Sequence, residues 1–206
     1  MKIFCIGCNY ALHNKERAHA LYTKEEDPVV FLKADSSLLK PGKPFFVPDT
    51  MGPIEYEAEV VVRICRLGKN IAPRFSHRYY DAVTLGIDFT ARQLQQKLKD
   101  AGKPWELSKA FDSSAVIGEW VEKEKFLDVQ SLSFRLDVNG RTRQEANTAE
   151  MLFKIDELIA YLSRFFTFKT GDMLFTGTPA GSGPVEIEDL LEGYLQDRQV
   201  LSLKCK

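Results

Sequence analysis

The segment PIEYEAEVVVRI, residues 53–64, places Glu57 and Glu59 two positions apart at the start of a hydrophobic stretch. Its alternation predicts a β-strand in which Glu57, Glu59 and Val61 share one face. Two neighbouring carboxylates that are partly buried require a cation, a proton or several hydrogen bonds. The pair could therefore hold a metal ion, or it could lie on a solvent-exposed face of an antiparallel strand. Val61 favours a face that turns inward, but the strand alone leaves both interpretations open.

A second candidate pair, His13 and Glu16, lies in NYALHNKERAHALY, whose composition predicts a helix. Residues three positions apart are neighbours on one helix face. A carboxylate beside an imidazole orients the ring and raises its basicity, which suits a general base near neutral pH. The alternative is an ion pair on the surface of a charged helix.

Further polar candidates follow in the middle of the chain. Asp88 ends the segment TLGID, where a predicted strand leads into a predicted helix. Such positions often bind ligands, although they also serve as helix starts. Arg92 and Gln95 would share the helix face that points back toward this strand end, where they could bind an anion. Lys109 lies in PWELSKAFD, and its ammonium either extends to solvent or is held in place for a function.

The cysteines and the Gly-rich segment are less informative. Cys5 and Cys8 form a C-x-x-C pair that could be a redox pair or half of a zinc site. No second Cys or His pair follows at a suitable spacing, so we favour two small buried residues. Four irregularly spaced cysteines do not indicate a disulfide framework. The segment GTPAGSGP does not match a phosphate-binding loop, because Pro184 stands where that loop needs a Lys.

Strands predominate among the elements that must position these residues. The predicted strands are KIFCIG, VVFLKA, the Glu-bearing segment, TLGID, a hairpin in SFRLDVNGRTRQEA, MLFTG and QVLSLKCK. The predicted helices are the segment after the first strand, residues 90–101 and FKIDELIAYLSRFF. Thr90 and Gln93 are spaced as a capping box for the second helix. The pattern predicts an α+β, mostly β fold and not a doubly wound sheet.

The composition is that of an ordinary globular protein, with 44% hydrophobic and 28% charged residues and a net charge of -1. Basic residues are dispersed along the chain, so we expect no nucleic-acid partner. The N-terminal MKIFCIGCNYALH is too short and too polar for a signal peptide or a membrane span, which predicts a cytoplasmic protein without a membrane partner. A chain of 206 residues can build one sizeable core, and we expect a single domain over residues 1–206.

Six motifs taken together resemble the fumarylacetoacetate hydrolase family, in particular its small single-domain members that act on acylpyruvates and related 2-keto acids. The motifs are IGCNYALHNKE, YEAEVVV, GIDFTARQLQ, GKPWELSKAFD, VNGRTRQ and LFTGTPAGSGPV. They occur in family order from residue 5 to residue 185, nearly the whole chain. The resemblance implies the mixed β-sandwich roll of the family's C-terminal domain and a homodimer.

The resemblance also implies a metal centre. A divalent ion, usually Mg2+ and in some members Mn2+ or Ca2+, would be held by Glu57, Glu59 and Asp88. Three carboxylates, completed by waters and substrate oxygens, suit a hard cation such as Mg2+. Thiolate and imidazole ligands, which would favour zinc, are absent from this set.

The remaining roles follow from the same similarity. Glu16 would orient His13 to deprotonate a water, on a mobile segment that closes over the substrate. Lys109 would steady the negative charge that develops on the substrate. The carboxylate and neighbouring oxygens of a 2-keto acid would be bound by Arg92, Gln95 and Thr178.

The implied activity is hydrolysis of a C–C bond in acylpyruvate-type 2,4-diketo acids through a pyruvate enolate. Stabilisation of the same enolate would serve two alternatives, isomerisation of 2-hydroxyhepta-2,4-diene-1,7-dioate and decarboxylation or tautomerisation of oxaloacetate. One departure from the family pattern is Cys8, which stands where many members have Arg. This loss of charge favours a third alternative, a non-catalytic protein that binds metal and keto acid. The retained pair of His13 and Glu16 favours an enzyme.

Overall fold

A computed structural model of the protein describes residues 1–16 and 27–206. The helices in these ranges are α1 (Ala11–Glu16), α2 (Arg92–Asp100), α3 (Glu106–Lys109) and α4 (Ile155–Phe165). The strands are β1 (Ile3–Gly7), β2 (Val29–Lys33), β3 (Ile54–Tyr56), β4 (Ala58–Ile64), β5 (Tyr80–Asp88), β6 (Thr90–Ala91), β7 (Ala115–Ile117), β8 (Val121–Glu122), β9 (Ser133–Val138), β10 (Arg141–Asn147), β11 (Met173–Phe175), β12 (Gly183–Pro184), β13 (Leu190–Leu195) and β14 (Arg198–Lys204). The predicted α+β, mostly β fold is confirmed.

The strands of the described residues form three sheets. The largest has the order β2-β1-β11-β4-β5-β7, and β8 also pairs with β5. Within it β1 and β11 are parallel, and the other neighbours are antiparallel. The other two sheets have the orders β10-β9-β13-β14 and β12-β3-β6. The chain therefore passes from the small sheet to the large one between β3 and β4, inside the segment that carries the two glutamates.

Both faces of β4 are covered by apolar side chains. Val60 and Val62 pack into the main hydrophobic core, whereas Val61 belongs to a smaller cluster that includes Phe31 and Phe175. The alternation predicted for residues 53–64 is therefore correct, but the solvent-exposed interpretation of the glutamate face is wrong. The prediction of one continuous strand is also wrong, because the chain changes sheets at residue 57.

Helix α2 begins two residues later than predicted. Its N-cap is Ala91, which makes no side-chain capping bond. The predicted capping box does not form, because Thr90 belongs to β6 and its hydroxyl accepts a hydrogen bond from Lys109 at 2.6 Å. A tertiary contact thus replaces the local one.

The predicted hairpin is confirmed as β9 and β10. Asn139 and Gly140 form its turn with φ of 52° and 71°, the left-handed conformation that two-residue hairpin turns require. The register shifts between Thr142 and Gln144, which marks a bulge in β10. Gln144 lies immediately after this shift and is buried.

The remaining predictions agree with the described residues, with two exceptions. Helix α4 and the strands β11 and β14 match their predicted segments. The helix predicted after β1 is confirmed only as the short α1, and residues 17–22 of that prediction lie outside the described residues. Strands β7, β8, β12 and β13 were not predicted. In the described part of the chain, no helix has the length and apolar character needed to cross a membrane.

Candidate active site and metal centre

Three buried carboxylates meet where β3, β4 and β5 join. Glu57 lies between β3 and β4, Glu59 lies on β4, and Asp88 ends β5. The backbone N–H of Asp88 donates to the carbonyl of Glu57 at 2.8 Å, which aligns the two strands. One oxygen from each carboxylate lies within 4.8 Å of the others, and the residues are 5%, 2% and 0% exposed. The structure thus brings together the three residues predicted as metal ligands.

Lys109, the last residue of α3, inserts its ammonium into this cluster. Its Nζ donates to Glu57 at 2.6 Å and to Asp88 at 2.7 Å, in addition to Thr90. Burial tends to lower the pKa of Lys109, but the charges of Asp88 and Glu57 outweigh it and raise that pKa above its ordinary value. Lys109 is therefore a buried, protonated donor, and its ammonium does not extend to solvent.

Arg92, at the start of α2, contacts the same cluster. Its Nε donates to Glu55 at 2.9 Å, and its Nη2 pairs with Glu57. Its Nη1 donates to Gln95 at 2.7 Å, so the two residues share a helix face as predicted. A guanidinium carries five N–H donors, of which these contacts use three. The remaining donors are available for an anionic group.

The two glutamates differ in their electrostatic state. Burial favours a raised pKa for Glu57, but Lys109 and Arg92 outweigh it and hold that pKa well below its ordinary value. The pKa of Glu59 lies well above its ordinary value, because burial is reinforced by the nearby charges of Asp88 and Glu57. Of the two glutamates, Glu59 therefore has the less compensated negative charge.

His13 is buried in α1 and faces the cluster. Its Nδ1 lies 3.6 Å from Oε2 of Glu16, which is beyond hydrogen-bond distance. Only 6% of His13 is exposed, so the interpretation as a surface ion pair does not hold for the imidazole. The Glu16 side chain is 40% exposed and accepts a hydrogen bond from the N–H of Gly181 at 3.1 Å.

The loop after β11 is fastened to the strand that bears the glutamates. The Thr178 hydroxyl donates to the carbonyl of Ala58 at 2.9 Å and accepts from Gln144 at 2.9 Å. The N–H of Gly177 donates to Glu59 at 2.7 Å. Gly177 has φ of 99°, and a Cβ there would lie 2.7 Å from that of Asn9. A side chain at position 177 would therefore move the loop away from Glu59.

One cavity unites the predicted residues. It is lined by all of them except Glu16, namely His13, Glu57, Glu59, Asp88, Arg92, Gln95, Lys109 and Thr178. Its volume is about 30 Å³. A larger cavity of about 750 Å³ lies elsewhere, beside Lys43 and Trp120, and contains none of these residues. We assign the chemistry to the smaller cavity, because the carboxylates, the imidazole and the buried ammonium converge there.

Sequence reasoning missed three residues at this site. Lys33 ends β2 and places its Nζ 2.8 Å from Oδ1 of Asp88. Lys99 and Trp105 line the cavity, with the Lys99 ammonium 4.6 Å from the centre of the Trp105 ring. The alternation of VVFLK puts Lys33 on the same face as the buried Phe31, and this was the available signal.

Cys8 also lines the cavity and has an unusual backbone conformation. It is half-buried with φ of 60°, whereas Cys5 is fully buried in the smaller hydrophobic cluster. Burial raises the pKa of the Cys8 thiol. Both cysteines are free, and the expectation of small buried residues is met fully by Cys5 and partly by Cys8.

The donor set fits a divalent cation of the hard class. All three side chains offer carboxylate oxygens, which Mg2+, Mn2+ and Ca2+ prefer over nitrogen or sulfur. The elevated pKa of Glu59 indicates that the cations of the protein leave negative charge uncompensated there. An added cation would relieve this repulsion.

Comparison with known proteins gives consistent matches over the whole chain. The family model described as fumarylacetoacetate (FAA) hydrolase C-terminal matches residues 2–206. An oxaloacetate tautomerase of Escherichia coli is 38% identical over 191 residues, 92% of this chain and 86% of that protein. The human mitochondrial oxaloacetate tautomerase is 36% identical over 204 residues, 99% of this chain and 91% of that protein. A Pseudomonas aeruginosa fumarylpyruvate hydrolase, solved with Mn2+ and pyruvate, has a TM-score of 0.91 at 31% identity and covers 100% of this chain and 89% of its own.

Proposed function

Because the chain belongs to the fumarylacetoacetate hydrolase family, we propose that it is a metal-dependent hydrolase of acylpyruvate-type 2,4-diketo acids. The family's C-terminal-domain fold is confirmed, and its related members include hydrolases, isomerases and tautomerases. The observation that carries the proposal is one cavity in which His13 and Lys109 face three buried carboxylates. That cavity combines a base, a cation and a metal-binding cluster.

The ion would be held by Glu57, Glu59 and Asp88. Mg2+ is the expected metal, and Mn2+ or Ca2+ would also suit these oxygen ligands. The Mn2+ in the structure of the Pseudomonas aeruginosa hydrolase supports a divalent cation of this class. A divalent cation at this cluster would supply Lewis acidity toward the oxygens of a 2-keto acid.

His13 would be the general base. Because Glu16 lies on the Nδ1 side of the imidazole, Nε2 would be the nitrogen that accepts a proton from water. The resulting hydroxide would attack the carbonyl carbon distal to the carboxylate. The bond between that carbonyl and the adjacent methylene would break, its electron pair would form the pyruvate enolate, and protonation of the enolate would yield pyruvate and a second acid.

Lys109 would stabilise the enolate, since a buried ammonium with a raised pKa keeps its charge beside the developing anion. Arg92 and Gln95 would bind the substrate carboxylate through donors left over from their contacts with each other and with Glu57. The Thr178 hydroxyl already donates one hydrogen bond and accepts another. Thr178 would therefore act mainly by holding the loop in place.

A second candidate is tautomerisation of oxaloacetate. Curated relatives from Escherichia coli and human, 38% and 36% identical to this chain, carry this name, which is the specific observation in its favour. Tautomerisation needs the same enolate stabilisation and a base, but no attack by water. Both reactions begin with a 2-keto acid at the same cluster.

Binding and product analysis together test the proposal. We would titrate oxalate into metal-stripped protein by calorimetry, with and without Mg2+, and then follow acetylpyruvate and oxaloacetate by NMR. The proposal predicts oxalate binding only with Mg2+, and conversion of acetylpyruvate to acetate and pyruvate. Faster keto–enol exchange of oxaloacetate without cleavage of acetylpyruvate would favour the second candidate. Binding of oxalate with turnover of neither compound would indicate a non-catalytic binding protein.

We also infer a homodimer, which rests on the family resemblance. Light scattering coupled to size-exclusion chromatography would give twice the mass of the chain. A mass equal to that of one chain would refute the inference.

A further inference from the structure

Lys33 is a buried lysine that lies behind the carboxylate cluster. Its side chain is 0% exposed, and its Nζ lies 2.8 Å from Oδ1 of Asp88. The same ammonium donates to the Ser114 hydroxyl at 2.9 Å and to the backbone carbonyl of Lys109. A buried ammonium is tolerated only when its donors are bound and its charge is compensated. Lys33 meets both conditions through elements that come from three parts of the chain.

The two lysines hold opposite oxygens of Asp88. Lys109 binds Oδ2 from the cavity side, whereas Lys33 binds Oδ1 and is absent from the cavity lining. Lys33 therefore holds its charge beside Oδ1 of Asp88 as an ion pair, without lining the cavity. Its contact with the backbone of Lys109 also fixes the end of α3, from which the catalytic ammonium projects.

The charge of Lys33 matters to any anion that enters the cavity. Glu57, Glu59 and Asp88 present three carboxylates within 4.8 Å of one another. A divalent ion alone would leave this group negative and would oppose the approach of a substrate carboxylate. The protein adds buried cations, and Lys33 is one that lies beside Asp88 without lining the cavity.

We propose that Lys33 is a positioning residue that orients Asp88 and supplies the positive charge needed for a 2-keto carboxylate to bind beside the metal cluster. This inference rests on the proposed function. It assigns to Lys33 an effect on anion binding that is separable from metal binding, because removal of a nearby positive charge disfavours an anion and favours a cation.

The test compares Lys33→Met and Lys33→Gln with Ser114→Ala in the full chain. Calorimetry would measure Mg2+ affinity first and then oxalate affinity at saturating Mg2+. We expect both Lys33 variants to bind Mg2+ no more than about threefold more weakly than wild type, while oxalate affinity falls about tenfold or more. Ser114→Ala keeps the charge of Lys33 and removes two hydrogen bonds of the Ser114 hydroxyl, the one accepted from Lys33 and the one donated to the carbonyl of Lys109. Its oxalate affinity should therefore stay within about twofold of wild type.

Other outcomes would overturn the inference. Unchanged oxalate affinity in Lys33→Met would show that the charge is not used. Parallel loss of Mg2+ and oxalate binding with a lowered melting temperature would indicate a merely structural role. If wild-type protein bound Mg2+ but no oxalate, the proposed function would fail and this inference with it. If wild-type protein bound oxalate only with Mg2+ and the Lys33 variants bound it equally well, the role of Lys33 would be refuted. The proposed function would then still stand.

A double variant keeps the inference testable if the single variants do not fold. Loss of Lys33 leaves Asp88 with one oxygen that lacks its buried cation, which is strongly destabilising. Lys33→Met combined with Asp88→Asn removes both charges and should fold. Because Asp88 is a proposed metal ligand, the oxalate affinity of the double variant is compared with that of Asp88→Asn alone, each at saturating Mg2+. Equal affinities would overturn the inference. A double variant that also failed to fold would show that the Lys33 stem, and not its charge, is required.

Discussion

Glu57 and Glu59 lie two residues apart and are both buried, yet they accept their hydrogen bonds from different kinds of donor. Lys109 and Arg92 bind Glu57 with full positive charges, whereas the N–H of Gly177 donates to Glu59 at 2.7 Å. Burial tends to raise the pKa of both carboxyls, but the charges of Lys109 and Arg92 outweigh it and lower the pKa of Glu57, whereas Asp88 and Glu57 add to it and raise the pKa of Glu59. The two glutamates should therefore respond differently to neutralisation.

In metal-free protein, Glu57→Gln should destabilise the fold and Glu59→Gln should not. The first variant leaves Lys109 and Arg92 without a buried counter-charge, which costs about 3 kcal/mol. The second removes a carboxylate that its neighbours repel. Urea denaturation would measure the free energies of unfolding, and calorimetry should show weakened Mg2+ binding in both variants. An equal loss of stability in the two variants would contradict the electrostatic difference.

The stability of metal-free protein should depend on pH through Glu59. Because its folded-state pKa is raised, the folded protein binds this proton more tightly than the unfolded chain. The free energy of unfolding should therefore fall as pH rises from the ordinary Glu value through the raised pKa. Glu57, whose pKa is lowered, has the opposite sign: its contribution is present above the ordinary value and is lost as pH falls through the lowered pKa.

Glu59→Gln isolates this effect. The stability of the variant relative to wild type should increase as pH rises through the range above the ordinary Glu pKa, because wild type loses stability as Glu59 deprotonates and Gln does not titrate. Urea denaturation of both metal-stripped proteins at several pH values would measure the difference. A difference that stayed constant across this range would show that Glu59 does not titrate there.

His13→Ala should reduce turnover without a matching loss of ligand affinity. Loss of a general base typically costs about 10²-fold to 10⁴-fold in rate. Oxalate affinity should stay within about threefold of wild type, because oxalate binding requires no proton transfer. Glu16→Gln should retain oxalate affinity and show a smaller loss of turnover, since it changes the partner of the imidazole and not the imidazole itself. Equal losses of rate and affinity in His13→Ala would contradict its role as a base.

Alkylation of cysteines can report occupation of the cavity. Cys8 lines the cavity and Cys65 does not, although both are half-buried and free. Mg2+ with oxalate should slow the reaction of Cys8 with iodoacetamide and leave Cys65 unchanged, as measured by peptide mass spectrometry. The fully buried Cys5 and Cys205 should react slowly in all conditions. Equal protection of Cys8 and Cys65 would indicate a global change and not local occupation.

The candidate site was predictable where local pattern and residue type were sufficient. Alternation put Glu57 and Glu59 on one face, and strand termination singled out Asp88. Whether that face is solvent-exposed or buried depends on the residues from other strands that pack against Val61. The local sequence does not contain those residues. The family resemblance supplied the remaining roles, including that of Thr178.

Contacts between distant segments account for what the sequence did not predict. Lys33 is separated by 76 positions from the residue whose carbonyl it binds, so its burial follows only from the assembled sheet. Thr90 has the residue type and spacing of a helix cap, yet Lys109 uses its hydroxyl. In both positions, compensation of a buried charge overrides the local preference.

The parallel pairing of β1 with β11 determines when the large sheet can be completed during synthesis. Ile3 lies beside Met173, and β11 is the strand that connects β1 to β4 in the large sheet. During synthesis, α1 and the strands that bear the carboxylates leave the ribosome well before the segment that joins them. An emerging chain that lacks β11 therefore has His13 and the three carboxylates without the strand that lies between β1 and β4. The cavity that these residues line can form only after β11 has left the ribosome.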